Sequence, residues 1–242
     1  MIPPPFRLEA HESLPSTSDL LAARAAAGEA EGLAILAHRQ TAGRGTQGRV
    51  WESPPGNLHV SILLRPAAPL AEAPRWGLIA AVALADALAA LLPPGAPLTL
   101  KWPNDLLLGG AKAAGILAEA AGEGAAIGWI SLGIGVNLVH APAVPGRATA
   151  CLADAGIAAP APEAAATALL QALARWRTAY LAGGFGPIRD AWLARGPRRG
   201  APLSITRGGA AFSGTFAGLA EDGSLLLATA DGIRAIASGE VA

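Results

Sequence analysis

The string Lys101-Trp102-Pro103-Asn104-Asp105 places a cation, an indole, a stiff turn, an amide and a carboxylate between Leu98-Thr99-Leu100 and Leu106-Leu107-Leu108. Apolar flanks of this kind read as strands entering a core, where each unpartnered polar group costs on the order of 1–3 kcal/mol. The fold must therefore bring the string to a corner of the core where partners or a ligand satisfy it. Lys112 and Gly115-Ile116-Leu117 follow closely enough to share that corner through a Gly109-Gly110 hairpin. A ligand cleft beside a meander of strands is the expected outcome.

The rest of the chain supplies the elements around that corner. A short strand is expected at Phe6 to Glu9 and a helix start at Ser16-Thr17-Ser18-Asp19. Buried or alternating strands follow at Leu33 to Ala37 and Leu58 to Leu63. Between them Gly43, Gly45, Gly48, Pro54, Pro55 and Gly56 make Gln40 to Gly56 a loop. An Ala-rich helix from Trp76 to Leu92 precedes strands at Leu98 to Trp102, Leu106 to Leu108, Ala113 to Glu119 and Ile127 to Leu138. Helices are expected again at Ala164 to Leu181 and Pro187 to Ala194. Consecutive hairpins imply an α+β fold, with a mainly antiparallel or mixed sheet and helices on one side. After Arg198 the glycine-punctuated pattern changes to that of a small β-barrel, dividing the chain into residues 1–195 and 198–242.

Charge and composition exclude several functions. Lys plus Arg and Asp plus Glu are equal at 18 each, so no net attraction draws the chain to nucleic acid or an anionic membrane. The apolar run from Trp76 to Leu92 is interrupted by Asp86 and stopped by Pro93-Pro94, and it falls short of the roughly 20 residues a bilayer needs. The proline-rich first residues carry no basic run and are not a signal peptide. The single Cys151 cannot form an internal disulfide, which fits a reducing, cytoplasmic setting. The histidines at 11, 38, 59 and 140 lack metal-ligand spacing and read as surface or satisfied residues. Exposed strand edges leave a homodimer open.

Thr41 to Trp51 contains Gly43-Arg44-Gly45-Thr46-Gln47-Gly48-Arg49, in which backbone N–H groups and two guanidinium forks can hold phosphate oxygens. The same string would also suit a solvated loop, but Trp51 at its end suits a lid anchored on one side. Ser16-Thr17-Ser18 is either a helix cap or a ligand-contacting turn. Asn104-Asp105 is either an Asx turn or a nucleotide contact, and Trp102 either core or site wall.

Gln40 to Trp51, Lys101 to Asp105, Lys112 to Leu117 and Gly133-Ile134-Gly135-Val136-Asn137-Leu138, in that order, resemble the signature segments of biotin-protein ligases. The resemblance runs from Phe6 to the Gly239-Glu240-Val241 close. It implies a class II synthetase-like catalytic domain followed by a Src-homology-3-like barrel. It also implies an AMP-forming ligase that makes biotinyl-5′-AMP from biotin and ATP, aided by Mg²⁺, and passes biotin to a Lys of a biotin carboxyl carrier domain.

By that resemblance Lys112 and Arg44 stabilise charge. Ser16, Thr17, Ser18, Gln40, Gly43, Gly45, Thr46 and Gly115 join them on the biotin side. Arg49, Trp51, Trp102, Asn104, Asp105 and Asn137 serve ATP, with Asp105 the metal candidate. Starting directly at the catalytic region, the chain resembles the monofunctional type without a DNA-binding domain. A lipoate or octanoate ligase of the same superfamily and a non-catalytic biotin sensor are the alternatives.

Ser18 stands where the family usually has Asn, and no aromatic residue lies between His140 and Trp176, where some relatives cover the adenine. Thr46 and Gln47 stand where a second Arg and another basic residue are common, with Arg65 as one source of compensation. Two cations fewer weaken the hold on an acyl-adenylate. Incubation with biotin, ATP and a bystander protein is therefore expected to label bystander lysines. Normal acceptor labelling with a clean bystander would exclude this leak.

Overall fold

The computed structural model describes residues 1–156 and 158–241, so Ala242 of the expected C-terminal unit lies outside it. In chain order the first half comprises β1 (Arg7–His11), α1 (Thr17–Ala26), β2 (Leu33–Ala37), β3 (Leu58–Leu64), α2 (Ala73–Ala89), β4 (Leu98–Lys101), β5 (Asp105–Leu108), β6 (Ala111–Glu123) and β7 (Ala126–Val136). These strands form one sheet in the order β1-β2-β3-β7-β6-β5-β4. β1 and β2 run parallel around α1, and the remaining pairs are antiparallel. The meander follows from its turns: Gly109 and Gly110 adopt φ of 58° and 85°, which a side chain rarely tolerates, and so close β5 onto β6.

α3 (Pro162–Gly183) and α4 (Gly186–Leu193) then return over the face already covered by α2. All five residues of β2 are buried, because the strand is covered on both sides. Ala34 and Leu36 enter the main core with α2 and α3, whereas Leu33 and Ile35 pack with Leu21, Ala25 and Leu63 under α1. The expectation of helices on one side is corrected here: an unbroken apolar run needs cover on both faces. α1 reaches only one half of the second face, packing against β2, β3 and β7. The loop spanning residues 40–56 meets the other half, and the pocket described below lies there.

The Ala-rich α2 is buried along nearly its whole length, and among the described residues no helix is long and apolar enough to cross a membrane. Asp86, the one acid in its apolar run, fastens the helical layer. Its carboxylate accepts from the Trp176 indole at 2.8 Å on α3 and from Arg195 at 2.7 Å beyond α4.

The last five strands, β8 (Pro202–Arg207), β9 (Ala210–Leu219), β10 (Leu225–Thr229), β11 (Gly232–Ile236) and β12 (Glu240–Val241), form a separate antiparallel sheet in the order β11-β10-β9-β8-β12. It is docked rather than tethered. Phe216, Leu225 and Leu227 belong to the same buried cluster as α2 and α4, with the Trp192 and Phe216 rings 6.1 Å apart. The Trp102 indole N–H donates to the Gly223 carbonyl at 3.2 Å, so this residue of the polar string joins the two sheets.

Asp86→Ala leaves the Trp176 N–H and the Arg195 fork without their acceptor. A loss of about 1–3 kcal/mol is expected, read as a lower urea midpoint at unchanged slope.

Candidate active site

Side chains alternate along a strand, so the register of β3, β7, β6 and β5 decides what faces the loop. One cross-strand row reads His59, Gly135, Gly115, Asp105, and the next reads Ser61, Gly133, Leu117. Three glycines therefore pave the middle of this face. A Cβ at 135 would sit 2.3 Å from Cε2 of Trp51, and one at 115 would sit 3.1 Å from Cζ3 of the same indole. At 133 it would meet the Ser18 hydroxyl at 2.6 Å. The floor is bare because an indole and a hydroxyl lie directly on the backbone.

The loop delivers that indole through a small turn of its own. Gly45 N–H donates to the Arg49 carbonyl at 2.7 Å, and Trp51 N–H donates to the Gly43 carbonyl at 2.9 Å. Gln47 at the tip takes φ 59°, the one left-handed non-glycine residue among those described. Gly43 is obligatory, since a Cβ there would lie 2.4 Å from the Trp51 carbonyl oxygen.

At one end of the floor, Ser16 caps α1 by accepting from Asp19 N–H at 3.3 Å. Thr17 donates its backbone N–H to Gln40 Oε1 at 2.8 Å, and Gln40 Nε2 donates to Ser53 at 2.9 Å. The Thr17 and Ser18 hydroxyls both bond Ser61, at 2.8 and 3.0 Å. The cap and the pocket wall are thus one structure, with Ser16 behind it and Thr17 and Ser18 lining it.

Lys112 marks the other end. Its ammonium lies 2.5 Å from Asp105 Oδ1 and 5.6 Å from the centre of the Trp51 ring. Asn104 secures the turn below by donating to the Ile116 carbonyl at 2.9 Å, and Asn137 donates to the Ala150 carbonyl at 3.1 Å. Arg44 forks onto Glu119 with two bonds of 3.0 Å and reaches Asp19 at 2.8 Å. That hydrogen bonding to Glu119 raises the Arg44 pKa further above its ordinary value, against the opposing effect of burial.

Arg49 reaches across to Glu240 of β12 at 3.0 Å, and Arg147 bonds the same carboxylate. A second cavity opens there beside the first, lined by Lys101, Trp102, Asp105, Lys112, Arg49, Arg147 and Glu240 among others. Burial lowers the Lys101 pKa, and the neighbouring Arg147 and Lys112 charges push the same way against Asp105. Four cations around two carboxylates leave this cavity short of negative charge.

Of the residues expected from sequence, Thr17, Ser18, Gln40, Arg44, Gly45, Thr46, Arg49, Trp51, Asn104, Lys112, Gly115 and Asn137 line one pocket. Gly43 stands behind it, and Trp102 and Asp105 line the neighbouring cavity. Arg65 is spent elsewhere, donating to the carbonyls of Ala25, Glu29 and Gly128. It does not replace the cations missing at Thr46 and Gln47. The carboxylates of Asp19, Glu119 and Glu240, and the lining residues His59 and Arg147, were not anticipated. Alternation along Leu58 to Leu63 could have found His59, since it puts His59 and Ser61 on one face.

Residues 11–137 match the biotin/lipoate A/B protein ligase family, and residues 202–242 match the biotin protein ligase C terminal domain. The chain belongs to the biotin/lipoate A/B protein ligase family and, within it, to the biotin protein ligases. It is 42% identical over 212 residues to a biotin–[acetyl-CoA-carboxylase] ligase of Paracoccus denitrificans, covering 86% of this chain and 88% of that one. The bifunctional ligase/repressor BirA of Bacillus subtilis (strain 168) is 33% identical over 237 residues, covering 96% of this chain and 72% of its own. In fold, the chain superposes on a biotin protein ligase from Aquifex aeolicus in complex with biotin and ATP with a TM-score of 0.82 at 24% identity, covering 98% and 97% of the two chains. The fold is thus the class II synthetase-like domain with an SH3-like C-terminal sheet that the sequence implied.

The Gly135→Ala substitution forces the Trp51 indole off the floor, and a loss of activity of at least tenfold is expected with a red-shifted tryptophan emission. Gly77→Ala on α2 serves as control, because its Cβ would meet only the Ala118 Cβ at an ordinary 3.6 Å. That change is expected to raise stability by about 0.5–1 kcal/mol.

Proposed function

We propose that this chain joins biotin to a lysine of a biotin carboxyl carrier domain in two steps, with ATP consumed in the first. A biotin carboxylate oxygen attacks the α-phosphorus, the bond to the β-phosphate oxygen breaks, and pyrophosphate leaves with its electron pair. The acceptor lysine, as a free amine, then attacks the acyl carbon of biotinyl-5′-AMP. The C–O bond to AMP breaks, and the amide forms with loss of one proton.

The observation that carries this reading is the polarity of the pocket from end to end. A hydroxyl and amide wall at Thr17, Ser18 and Gln40 suits a ureido head. The middle of the pocket, lined by the Trp51 indole, Leu117 and the glycine strands, suits an apolar bicyclic body and chain. The Lys112 ammonium at the far end suits the place where a carboxylate and an α-phosphate, both anionic, must meet. Asp105 holds that ammonium in position, and Trp51 covers it. Arg49, Lys101 and Arg147 around the adjoining cavity provide for the remaining phosphates, while Arg44 waits on Glu119 and Asp19 at the loop.

Asn104 and Asn137 shape the backbone at this end through their carbonyl bonds. Trp102 acts through the docking of the C-terminal sheet rather than as a wall against the base. For the adenine, Pro142, Val144 and Val50 at the pocket mouth offer apolar contact in place of an aromatic cover.

Mg²⁺ is a different matter. Among the described residues no group of three His, Cys, Asp or Glu side chains could cage a metal, and the Asp105 carboxylate is already bonded to Lys112. These residues do not fit a dedicated protein site, so the ion is assigned to the triphosphate it accompanies and no step depends on a protein ligand to it. The relative from Paracoccus denitrificans supports the carrier of a biotin-dependent carboxylase as acceptor. Lipoate handling is the weaker alternative, since the ureido-suited wall has no counterpart in a dithiolane.

Biotin-dependent ATP–pyrophosphate exchange is the direct measurement, and it is expected with biotin and not with lipoate. Lys112→Ala is expected to lower exchange by roughly a hundredfold to a thousandfold while biotin still binds. Exchange that survives in that variant, or that runs equally on lipoate, would overturn the assignment.

A further inference from the structure

Three buried side-chain polar atoms lack a partner among the described residues: His59 Nε2, Trp76 Nε1 and Ser131 Oγ. Of these residues, only His59 lines the active-site pocket. It is 1% exposed, on β3, in the same cross-strand row as Gly135 and Gly115. Its Nδ1 lies 3.3 Å from the Ala37 carbonyl oxygen. A carbonyl only accepts, so Nδ1 carries the proton and Nε2 keeps a lone pair. Burial lowers the pKa to about 4 even though the bond to Ala37 opposes the shift, so the ring is neutral at physiological pH.

An orphaned buried acceptor of this kind costs about 1–3 kcal/mol, and packing gives no return for it. A phenylalanine would remove that orphan and lose only the Nδ1–H bond to the Ala37 carbonyl. The group therefore has the character of a contact awaiting its donor.

The position says which donor. Ser61 lies two residues along the same face, about 7 Å away, and it is bonded to both Thr17 and Ser18. Across the glycine floor in the other direction stands Asp105, holding Lys112, three strand spacings or about 14 Å away at the backbone. The imidazole and the ammonium thus flank the floor in the order in which a ureido head and a carboxylate tail lie along biotin. A cyclic urea brings two N–H donors and one carbonyl. Gln40 Oε1 already accepts twice from Thr17, and the Thr17 and Ser18 hydroxyls are each bonded to Ser61, so an acceptor beside that wall adds to it rather than replacing it.

We propose that Nε2 of His59 accepts a hydrogen bond from a ureido N–H of bound biotin and so helps the pocket select cyclic ureas over isosteric rings without that donor. The inference rests on the biotin reading above and adds a specificity-determining residue to it.

Calorimetric titration with biotin and with the two cyclic carbamate analogues, each replacing one ureido N–H by a ring oxygen, tests it. The native protein is expected to favour biotin at least tenfold over one of the two analogues. His59→Phe is expected to bind biotin tenfold to a hundredfold more weakly and to lose that preference. An undiminished biotin affinity in His59→Phe, or an undiminished preference, would overturn the inference.

The native protein provides a second reading that does not depend on the variant folding. The His59 ¹⁵Nε2 resonance should carry the signature of an unprotonated nitrogen and move upfield when biotin is added. A resonance that stays put, as it would if a water molecule held the lone pair, also overturns the inference. Native protein with no affinity for biotin would sink the biotin assignment and this inference with it, whereas full affinity in His59→Phe sinks this inference alone.

Discussion

The contact on which the site depends is that of the Trp51 indole with bare backbone at Gly135 and Gly115. No residue larger than glycine leaves room for it at 135, where an added carbon would meet the ring at 2.3 Å. The contact closes the loop over the sheet and stacks an aromatic face near the Lys112 ammonium. It also makes the indole, seated on peptide, one apolar wall of the pocket. The same pair of strands has two very different faces. Toward α2 they present Ile116, Ala118, Leu132 and Ile134. Toward the loop they present Gly115, Leu117, Gly133 and Gly135. A shift of one residue in register would exchange the two sets and abolish both core and site.

Much of this was legible in the sequence, for physical reasons that can be named. The polar string from Lys101 to Asp105 could not be buried unpaired, and it does lie at a corner where Asp105 meets Lys112 and Trp102 reaches Gly223. Turn chemistry at Gly109-Gly110 pointed to the hairpin between β5 and β6, because positive φ leaves few alternatives. The glycine loop and the strands that oppose it were found by composition and resemblance together.

What was not legible depended on long-range pairing. Glu119, Glu240 and Asp19 carry no local signature, yet they decide where Arg44 and Arg49 point in the resting structure. The two-sided burial of β2 was readable as an apolar run, but the partner on the second face was not. His59 carries no such signal either, because a lone histidine in a strand is ordinarily satisfied. Only the folded structure distinguishes a satisfied ring from one with an unpartnered nitrogen in the wall of a pocket.

The resting ion pairs bear on how readily such a site admits anions. Arg44 and Arg49, with their partners Glu119 and Glu240, are between about a third and two-fifths exposed. Pairs at that exposure are worth no more than about 1 kcal/mol. They neutralise the cations, and opening them costs little. Lys112 and Asp105 differ, being 21% and 16% exposed at 2.5 Å. Removing that ammonium from its carboxylate is more costly than opening either arginine pair. On the function proposed above, a firmly paired charge at Lys112 and loosely paired charges at Arg44 and Arg49 meet opposite requirements. Stabilising charge in a transition state needs a group already in place, whereas binding and releasing a polyanion needs contacts that break easily. Glu240 brings the C-terminal sheet into this charge balance, since a carboxylate on β12 is the partner that Arg49 and Arg147 hold. The docking of that sheet through Trp102 and Phe216 thereby sets the resting charge of a cavity formed largely by the other sheet.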